Sequence, residues 1–314
     1  MPRGPSRRAS GSGGDPAGPP IIRCDGLSYL YQRGTPFETA ALDDVSLSIA
    51  AGEAVGVIGA TGSGKSTLVQ HFNGLLRPAR GRVYLDDVDI HAREVDRRRV
   101  RQEIALLFQY PEHQLFEETV AADVAFGPRN LGLGDDEVRG RVERALRQVG
   151  LDPDRFGPRS PFTLSNGEMR RAAIAGLLAM RPRMLILDEP TAGLDPAGRR
   201  DILGHVARLR RDAGLTIVLI SHSMDAVAAL CDRVVVLDHG RLVADGPVRT
   251  VFADAPALEA LGLGVPQAAQ CVHRLRERDW SVRADVLSVD EARRAILDAL
   301  AKRGVVTPAQ EAGA

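Results

Sequence analysis

The chain has 314 residues, and its 41 lysines and arginines are balanced by 41 aspartates and glutamates. That length suits one large domain with appendages rather than two full domains, and a zero net charge gives no global sign of a nucleic-acid binder. No apolar run reaches the ~18 to 20 residues of a membrane helix, no apolar segment follows the N-terminal arginines as in a secretory signal, and Cys24, Cys231 and Cys271 are too scattered for a zinc site or a disulfide framework.

Residues 1–20, rich in Gly, Pro, Ser and Arg, are expected to form a disordered arm, because they hold too little apolar surface to offset the entropy of ordering. Order is expected from Ile21. IIRCDGLSYLYQ reads as a strand, and ALDDVSLSIA as another, with alternating apolar positions Leu42, Val45, Leu47 and Ile49. EAVGVIGA is a short apolar run of the kind that forms a buried parallel strand, and STLVQHFNGLL continues it as a helix. GRVYLDDVDI reads as a strand with a turn at Asp86-Asp87.

From Asp135 to Val149 the apolar residues recur at three- and four-residue steps, which predicts a helix, and a second is expected from Asn166 to Met180. MLILDEP is an apolar strand ending in carboxylates. A helix over AGRRDILGHVARLRRDAG, the strand TIVLISH and a hairpin around His239-Gly240 follow. Strands alternating with helices predict a parallel α/β sheet, with the N-terminal strands antiparallel and separate. After Thr250 the pattern is helical. Pro266 is placed at the first position of one helix, and Ser288 and Glu291 read as a capping box opening another, with Ala292, Ile296, Leu297 and Leu300 on one side.

Two stretches carry chemistry. Gly59, Ala60, Thr61, Gly62, Ser63, Gly64, Lys65, Ser66 and Thr67 match G-x-x-x-x-G-K-[ST], between a strand and a helix as that motif requires. Glycines let the chain wrap an oxyanion, and the amides of Ser63, Gly64, Lys65 and Ser66 would point at phosphate oxygens. Lys65 would add charge toward the β- and γ-phosphates, and the Ser66 hydroxyl would join Mg²⁺ coordination. The second stretch is Met184 to Glu189. An acidic pair at the carboxyl end of an apolar strand suits the ligand edge of a parallel sheet. Asp188 would hold Mg²⁺ and Glu189 would act as general base on the attacking water.

Leu164-Ser165-Asn166-Gly167-Glu168, lying before Asp188, resembles the signature LSGGQ of ATP-binding cassette (ABC) proteins. Gln109 in LLFQYP, Gly193-Leu194-Asp195, and His222 ending TIVLISH follow the same family's order. The resemblance covers residues 21–250 and implies an ABC nucleotide-binding domain: a P-loop NTPase with a RecA-like parallel-sheet core, an N-terminal antiparallel β subdomain and a helical subdomain at about 110–180. Residues 251–314 are expected to form a C-terminal helical extension.

The resemblance also implies ATP and Mg²⁺ as cofactors and a head-to-tail pair of ATPases that sandwich ATP. Ser165 and the amide of Gly167 would clasp the γ-phosphate of a partner's nucleotide. Tyr31 would stack on adenine, with Tyr29 the alternative stacker and core packing the rival reading. Gln109 would sense the γ-phosphate and Mg²⁺, His222 would position the water, and Asp195 would communicate across the dimer. Asn166 and Glu168 depart from the usual Gly and Gln. Asn tolerates a left-handed backbone, whereas the charge of Glu168 would repel phosphate, so weaker closure on ATP is expected.

SYLYQRGTPFETAALDDVSLSI, FQYPEHQLFEETVAADVAFGPRNLG and MRRAAIAGLLAMRP resemble the ATPase subunits of energy-coupling factor (ECF) importers, the cobalt, nickel and vitamin uptake systems. That implies a second ABC ATPase as partner, a transmembrane coupling protein, a separate substrate-binding membrane protein, and a peripheral place on the cytoplasmic face of the cell membrane, with no direct membrane insertion and no nucleic acid. The C-terminal tail resembles the extension through which the paired ATPases associate. Pro111, Leu115 and Phe116 would either line a docking groove or pack the helical subdomain. The alternatives are a conventional ABC transporter ATPase, a soluble ABC protein and a non-catalytic scaffold. A soluble ABC protein would carry two cassettes, a coiled-coil insert or zinc modules, and this chain has one cassette and no such insert.

Overall fold

The computed structural model describes residues 19–110 and 114–303. Residues 1–18 of the expected N-terminal arm therefore lie outside the described residues, and Pro20, counted with that arm, opens the first strand. Four strands make an antiparallel sheet in the order β2 (Thr39–Ala50), β1 (Pro20–Tyr31), β4 (Arg80–Leu85), β5 (Val88–Asp89). Leu42, Val45, Leu47 and Ile49 are all buried. The three-residue step from Leu42 to Val45 is a β-bulge: Leu27 pairs with Val45 and Tyr29 with Leu42, so β2 carries one extra residue, and Asp44 takes φ 56° there.

A second sheet runs β10 (Arg241–Pro247), β9 (Arg233–Asp238), β3 (Ala54–Ile58), β8 (Thr216–Ile220), β7 (Met184–Asp188), β6 (Ile104–Leu107), parallel throughout except for the edge strand β10. Every residue of β3, β7, β8 and β6 is buried. This explains their unbroken apolar sequence, since both faces of the sheet are covered. One face packs with the antiparallel sheet and α1 (Lys65–Phe72), and α2 (Arg97–Glu103) leads into β6. The other face packs against α3 (Val120–Asn130), α4 (Asp135–Gln148), α5 (Pro153–Phe156), α6 (Asn166–Ala179), α7 (Pro196–Ala213) and α8 (Met224–Leu230). α1 ends at Phe72 rather than running on to Leu76, because Asn73 and Gly74 leave helical geometry, the latter at φ 69°.

After β10 come α9 (Val248–Ala253), α10 (Ala255–Ala260), α11 (Gln267–Arg276) and α12 (Val289–Lys302). α11 and α12 enclose a separate small core of Ala268, Val272, Val282, Val286, Ala292, Ala295 and Ala299. Three sequence expectations change here. Pro266 is the N-cap of α11, not its first residue. Ser288 caps α12, but the Glu291 carboxylate accepts from Leu287 N–H at 2.9 Å and from both Arg249 guanidinium nitrogens, so the box is not closed on Ser288 itself. The buried stripe is Ala292, Ala295 and Ala299, whereas Ile296, Leu297 and Leu300 remain half-buried.

The strand order decides the site. β8 separates β3 from β7, so the carboxyl ends of all three emerge side by side, carrying in turn residues 59–67, His222, and Asp188 with Glu189. Leu107 pairs with Leu187, which puts Gln109, exposed, two residues beyond the same edge.

Candidate functional site

The turn over residues 59–67 is held by its own backbone. Gly59 has φ 157°, and a Cβ there would stand 2.3 Å from the Leu237 carbonyl oxygen. Gly64 has φ 102°, and a Cβ there would stand 2.3 Å from the Ala41 carbonyl oxygen. Both positions therefore admit only glycine. The β9–β10 hairpin braces the loop: Gly240 N–H donates to Ser63 O at 3.1 Å, and Asp43 N–H donates to Gly240 O at 2.9 Å. Leu68 N–H, bonded to Gly64 O at 2.8 Å, is an early closing bond of α1, and the amides of the preceding turn lack helical acceptors. One expectation changes: Ser63 N–H is taken by Ala60 O at 3.1 Å. The Ser63 hydroxyl is buried in the turn and has no partner among the described residues.

Lys65 is only 7% exposed, and its ammonium donates to Gly59 O and Ala60 O, each at 2.8 Å. Desolvation lowers its pKa, and the charges of Glu189 and Asp188 oppose that shift. Burial raises the pKa of Asp188, and the Ser66 hydroxyl, Lys65 and His222 pull it back. Burial likewise raises Glu189, against which the His222 ring and backbone act. Glu189 sits at φ 50°, a strained conformation for a side chain of this size. Its Oε1 has no hydrogen-bond partner among the described residues and lies 3.7 Å from His222 Nε2. Asp188 next to the Ser66 hydroxyl is an oxygen-donor pair that fits Mg²⁺, and the unpartnered Ser63 and Glu189 oxygens lie in the same cluster of loops.

Tyr31 and Tyr29 separate cleanly. The Tyr31 hydroxyl lies 3.2 Å from Thr67 Oγ1 and its side chain is 40% exposed, placing an open ring beside the 59–67 turn. Tyr29 packs on the core and meets His71 edge-on at 4.9 Å. Tyr31→Ala should weaken ATP binding roughly 5- to 100-fold, the loss of one base–aromatic stack. Tyr29→Ala should lower the melting midpoint and leave affinity within about twofold. Titration with a fluorescent ATP analogue checks both.

Ser165 and Gly167 lie elsewhere. With Glu168, Arg171, Gly193, Asp195 and Asp201 they line an open cleft of about 460 Å³ between α6 and α7, to which no residue of the 59–67 turn contributes. Ser165 caps α6, and Asp195 caps α7 by accepting from Gly198 N–H at 2.7 Å. Asn166 is the first residue of α6 and is not among the left-handed residues, so this position asks for no special backbone. A Cβ on Gly167 would meet nothing within 4 Å, so nothing inside the chain requires glycine there.

A sequence profile of the family described as ABC transporter matches residues 42–192. An energy-coupling factor transporter ATP-binding protein, EcfA2, of Symbiobacterium thermophilum is 58% identical over 284 residues, covering 90% of this chain and 98% of that protein. The protein of the same description from Clostridium tetani is 47% identical over 276 residues, covering 88% and 96%. The chain belongs to the energy-coupling factor transporter ATP-binding proteins. Among solved structures, cbiO1 of Clostridium perfringens, described as part of the ABC transporter complex cbiONQ, is 37% identical with a TM-score of 0.69, covering 82% of this chain and 99% of that one. The ATP-binding cassette MJ0796, solved as a dimer bound to ADP and Pi, is 26% identical with a TM-score of 0.64, covering 73% and 99%. The fold is thus the ABC cassette, and the chain is an ATP-hydrolysing subunit of the energy-coupling factor type.

In this energy-coupling factor ATPase the Glu168 charge is committed inside the signature. Its Oε2 accepts from Ser165 N–H at 2.8 Å and from the Ser165 hydroxyl at 3.0 Å, which hold its pKa below the usual carboxylate range. The Ser165 proton is therefore spent on a neighbour. In Glu168→Gln a neutral amide oxygen takes the place of the charged Oε2; it still accepts from Ser165 N–H but is a weaker acceptor for the hydroxyl, whose proton is then given more readily to an oxyanion. The ATPase rate of the assembled complex should rise, roughly two- to tenfold, or up to ~1.4 kcal/mol, and an unchanged or lower rate counts against this account.

The reading of the sequence missed Arg170. It is 5% exposed, and its Nη1 donates to Pro190 O at 2.7 Å and Ala192 O at 2.8 Å. The signal was present, since Arg170, Ile174 and Leu178 fall on one buried stripe of α6 at four-residue steps. For Leu115, left open between a docking groove and packing of the helical subdomain, the structure gives packing: it is 5% exposed and lies in the core, and Pro111 lies outside the described residues. Phe116 and Phe126 meet edge-on at 4.8 Å, both exposed, over a cavity of about 660 Å³ lined also by Leu177 and Met180.

Proposed function

We propose that this chain pairs head-to-tail with a second, homologous ATPase, and that the pair drives uptake of a vitamin or transition metal ion through a transmembrane coupling protein and a separate substrate-binding membrane protein. One observation carries the pairing: the cleft of Ser165 and Gly167 contains no residue of the phosphate turn. A single chain thus holds two half-sites, and each needs the complementary half from another cassette. The glycine at 167 has no internal reason and suits close approach of a nucleotide from outside.

Within each composite site the residues divide the work. Backbone amides of the 59–67 turn and Lys65 bind the β- and γ-phosphates, and Tyr31 stacks on the base. Ser66 and Asp188, with Gln109 at the strand edge, would hold Mg²⁺, which neutralises charge on the phosphoryl oxygens. Glu189 takes a proton from the attacking water and His222 fixes that water beside the γ-phosphate. From across the interface, Ser165 and the amide of Gly167 cap the γ-phosphate, while Asp195 contacts the opposite subunit.

No helix among the described residues is long and apolar enough to cross a membrane. As an ATPase similar to transporter subunits, the chain would sit as a peripheral subunit on the cytoplasmic membrane face. Its docking groove is the cavity under Phe116 and Phe126, and residues 251–314 form the ATPase–ATPase association element. Affinity purification of the tagged chain from detergent-solubilised membranes of its native host tests this. Recovery of a second ATPase and a small polytopic membrane protein supports it, and recovery of a two-domain permease or of no membrane protein overturns it.

A further inference from the structure

The signature helix and the loop that follows Glu189 belong to different half-sites of the proposed pair, yet one side chain joins them. Arg170 lies one turn into α6 from the Ser165 cap, on the buried face. A single guanidinium nitrogen, Nη1, donates one hydrogen to Pro190 O and the other to Ala192 O. These two carbonyls flank Thr191 in the turn that Ala192 N–H closes on Glu189 O at 3.2 Å and Leu194 N–H continues on Thr191 O at 3.3 Å. That turn starts at Glu189, whose φ of 50° needs support from its surroundings to persist. It ends at Gly193 and Asp195, which line the signature cleft.

We propose that Arg170 is a positioning residue that locks the head of the signature helix to the turn carrying Glu189. Engagement of a partner's nucleotide by Ser165 and Gly167 then sets the orientation of this subunit's own general base. The inference rests on the head-to-tail pairing proposed above. A planar guanidinium can satisfy two carbonyls from one nitrogen at fixed spacing. A lysine at this position keeps the charge and can donate to two carbonyls from one nitrogen, as Lys65 does, but without the planar geometry that fixes their spacing, and a methionine keeps the bulk and leaves both carbonyls without this donor.

The mechanical link predicts a split between binding and turnover. The Nη1 bonds of Arg170 reach the turn after Glu189 and not the 59–67 turn or Tyr31, so the lock they form is expected to act on turnover more than on nucleotide affinity. Arg170→Met and Arg170→Lys are made in the full chain and purified with the partner subunits. Steady-state ATP hydrolysis, binding of a fluorescent ATP analogue, melting midpoint and amide hydrogen exchange are then compared with the parent assembly.

The proposal expects kcat to fall at least tenfold in Arg170→Met with the dissociation constant within twofold. Exchange should be at least tenfold faster at the Ala192 and Leu194 amides, with β7 unchanged, and Arg170→Lys should recover part of kcat. It is overturned if kcat stays within twofold in Arg170→Met. It is also overturned if affinity, kcat and protection across the whole parallel sheet decline together, the mark of a purely structural role. Arg170→Lys, which retains the buried charge, supplies the same readouts if the methionine form does not fold, and faster exchange at Ala192 and Leu194 with kcat within twofold of the parent would then overturn the proposal. If the parent assembly itself hydrolyses no ATP, the pairing fails rather than this link.

Discussion

Glu189→Gln is expected to abolish turnover, lowering kcat about 10²- to 10⁴-fold, the contribution typical of a positioned general base, while ATP binding persists. The chain should also become more stable at neutral pH. Glu189 is 8% exposed, its Oε1 has no partner among the described residues, and burial raises its pKa. A carboxylate whose folded pKa lies above its unfolded value destabilises the fold at every pH above the folded pKa, and the penalty fades as pH falls through that value. Glutamine removes the charge, so the melting midpoint should rise by about 2–4 °C per kcal/mol relieved. The gain should shrink as pH falls below the raised pKa. With Glu189 as the proposed base, the same shift means that turnover in the parent should decline on the acid side at a higher pH than an ordinary glutamate gives. Single-turnover kinetics and thermal melts across pH check these together. A glutamine form that hydrolyses ATP normally removes Glu189 from the role of base.

Lys65→Ala is expected to strike binding itself, weakening ATP affinity roughly 10- to 100-fold, the worth of one or two hydrogen bonds to a charged group. Its ammonium bonds the Gly59 and Ala60 carbonyls and stands close enough to Asp188 and Glu189 to feel both. Removing it leaves two carboxylates with raised pKa values and one less counter-charge, so both would be protonated more readily. Turnover should therefore fall further than affinity, and its acid limb should move to higher pH. Equilibrium titration with a fluorescent ATP analogue, followed by a pH–rate profile at saturating nucleotide, separates the two effects. Unchanged affinity would mean that the phosphates lie elsewhere.

Much of the site could be read in the sequence because its chemistry is local. The glycine-rich 59–67 turn and the Asp188-Glu189 pair each occupy a few consecutive residues, and buried parallel strands announce themselves as unbroken apolar runs. The sequence could not show side-chain partnership across the fold. Arg170 reads as one more basic residue in MRR, and its partners are carbonyls twenty or more positions away. Leu115 and Phe116 are neighbours of similar character, yet one is core and the other surface, a difference set by how the segment packs on α3 and α6. The capping box at Ser288 failed because Glu291 had a competing cation, Arg249, from another helix. The tolerance of Asn for a left-handed backbone is not called on at Asn166, since the start of α6 imposes ordinary helical geometry there.

The account stands or falls on nucleotide turnover by composite sites. Phosphate release is to be measured against ATP concentration, with Mg²⁺, for the chain purified together with its partner subunits in lipid vesicles. The account predicts saturable release that disappears when this chain and its partner ATPase both lack their general base. No release above the vesicle blank from the parent assembly, or release that continues undiminished in the base-deficient one, would contradict it.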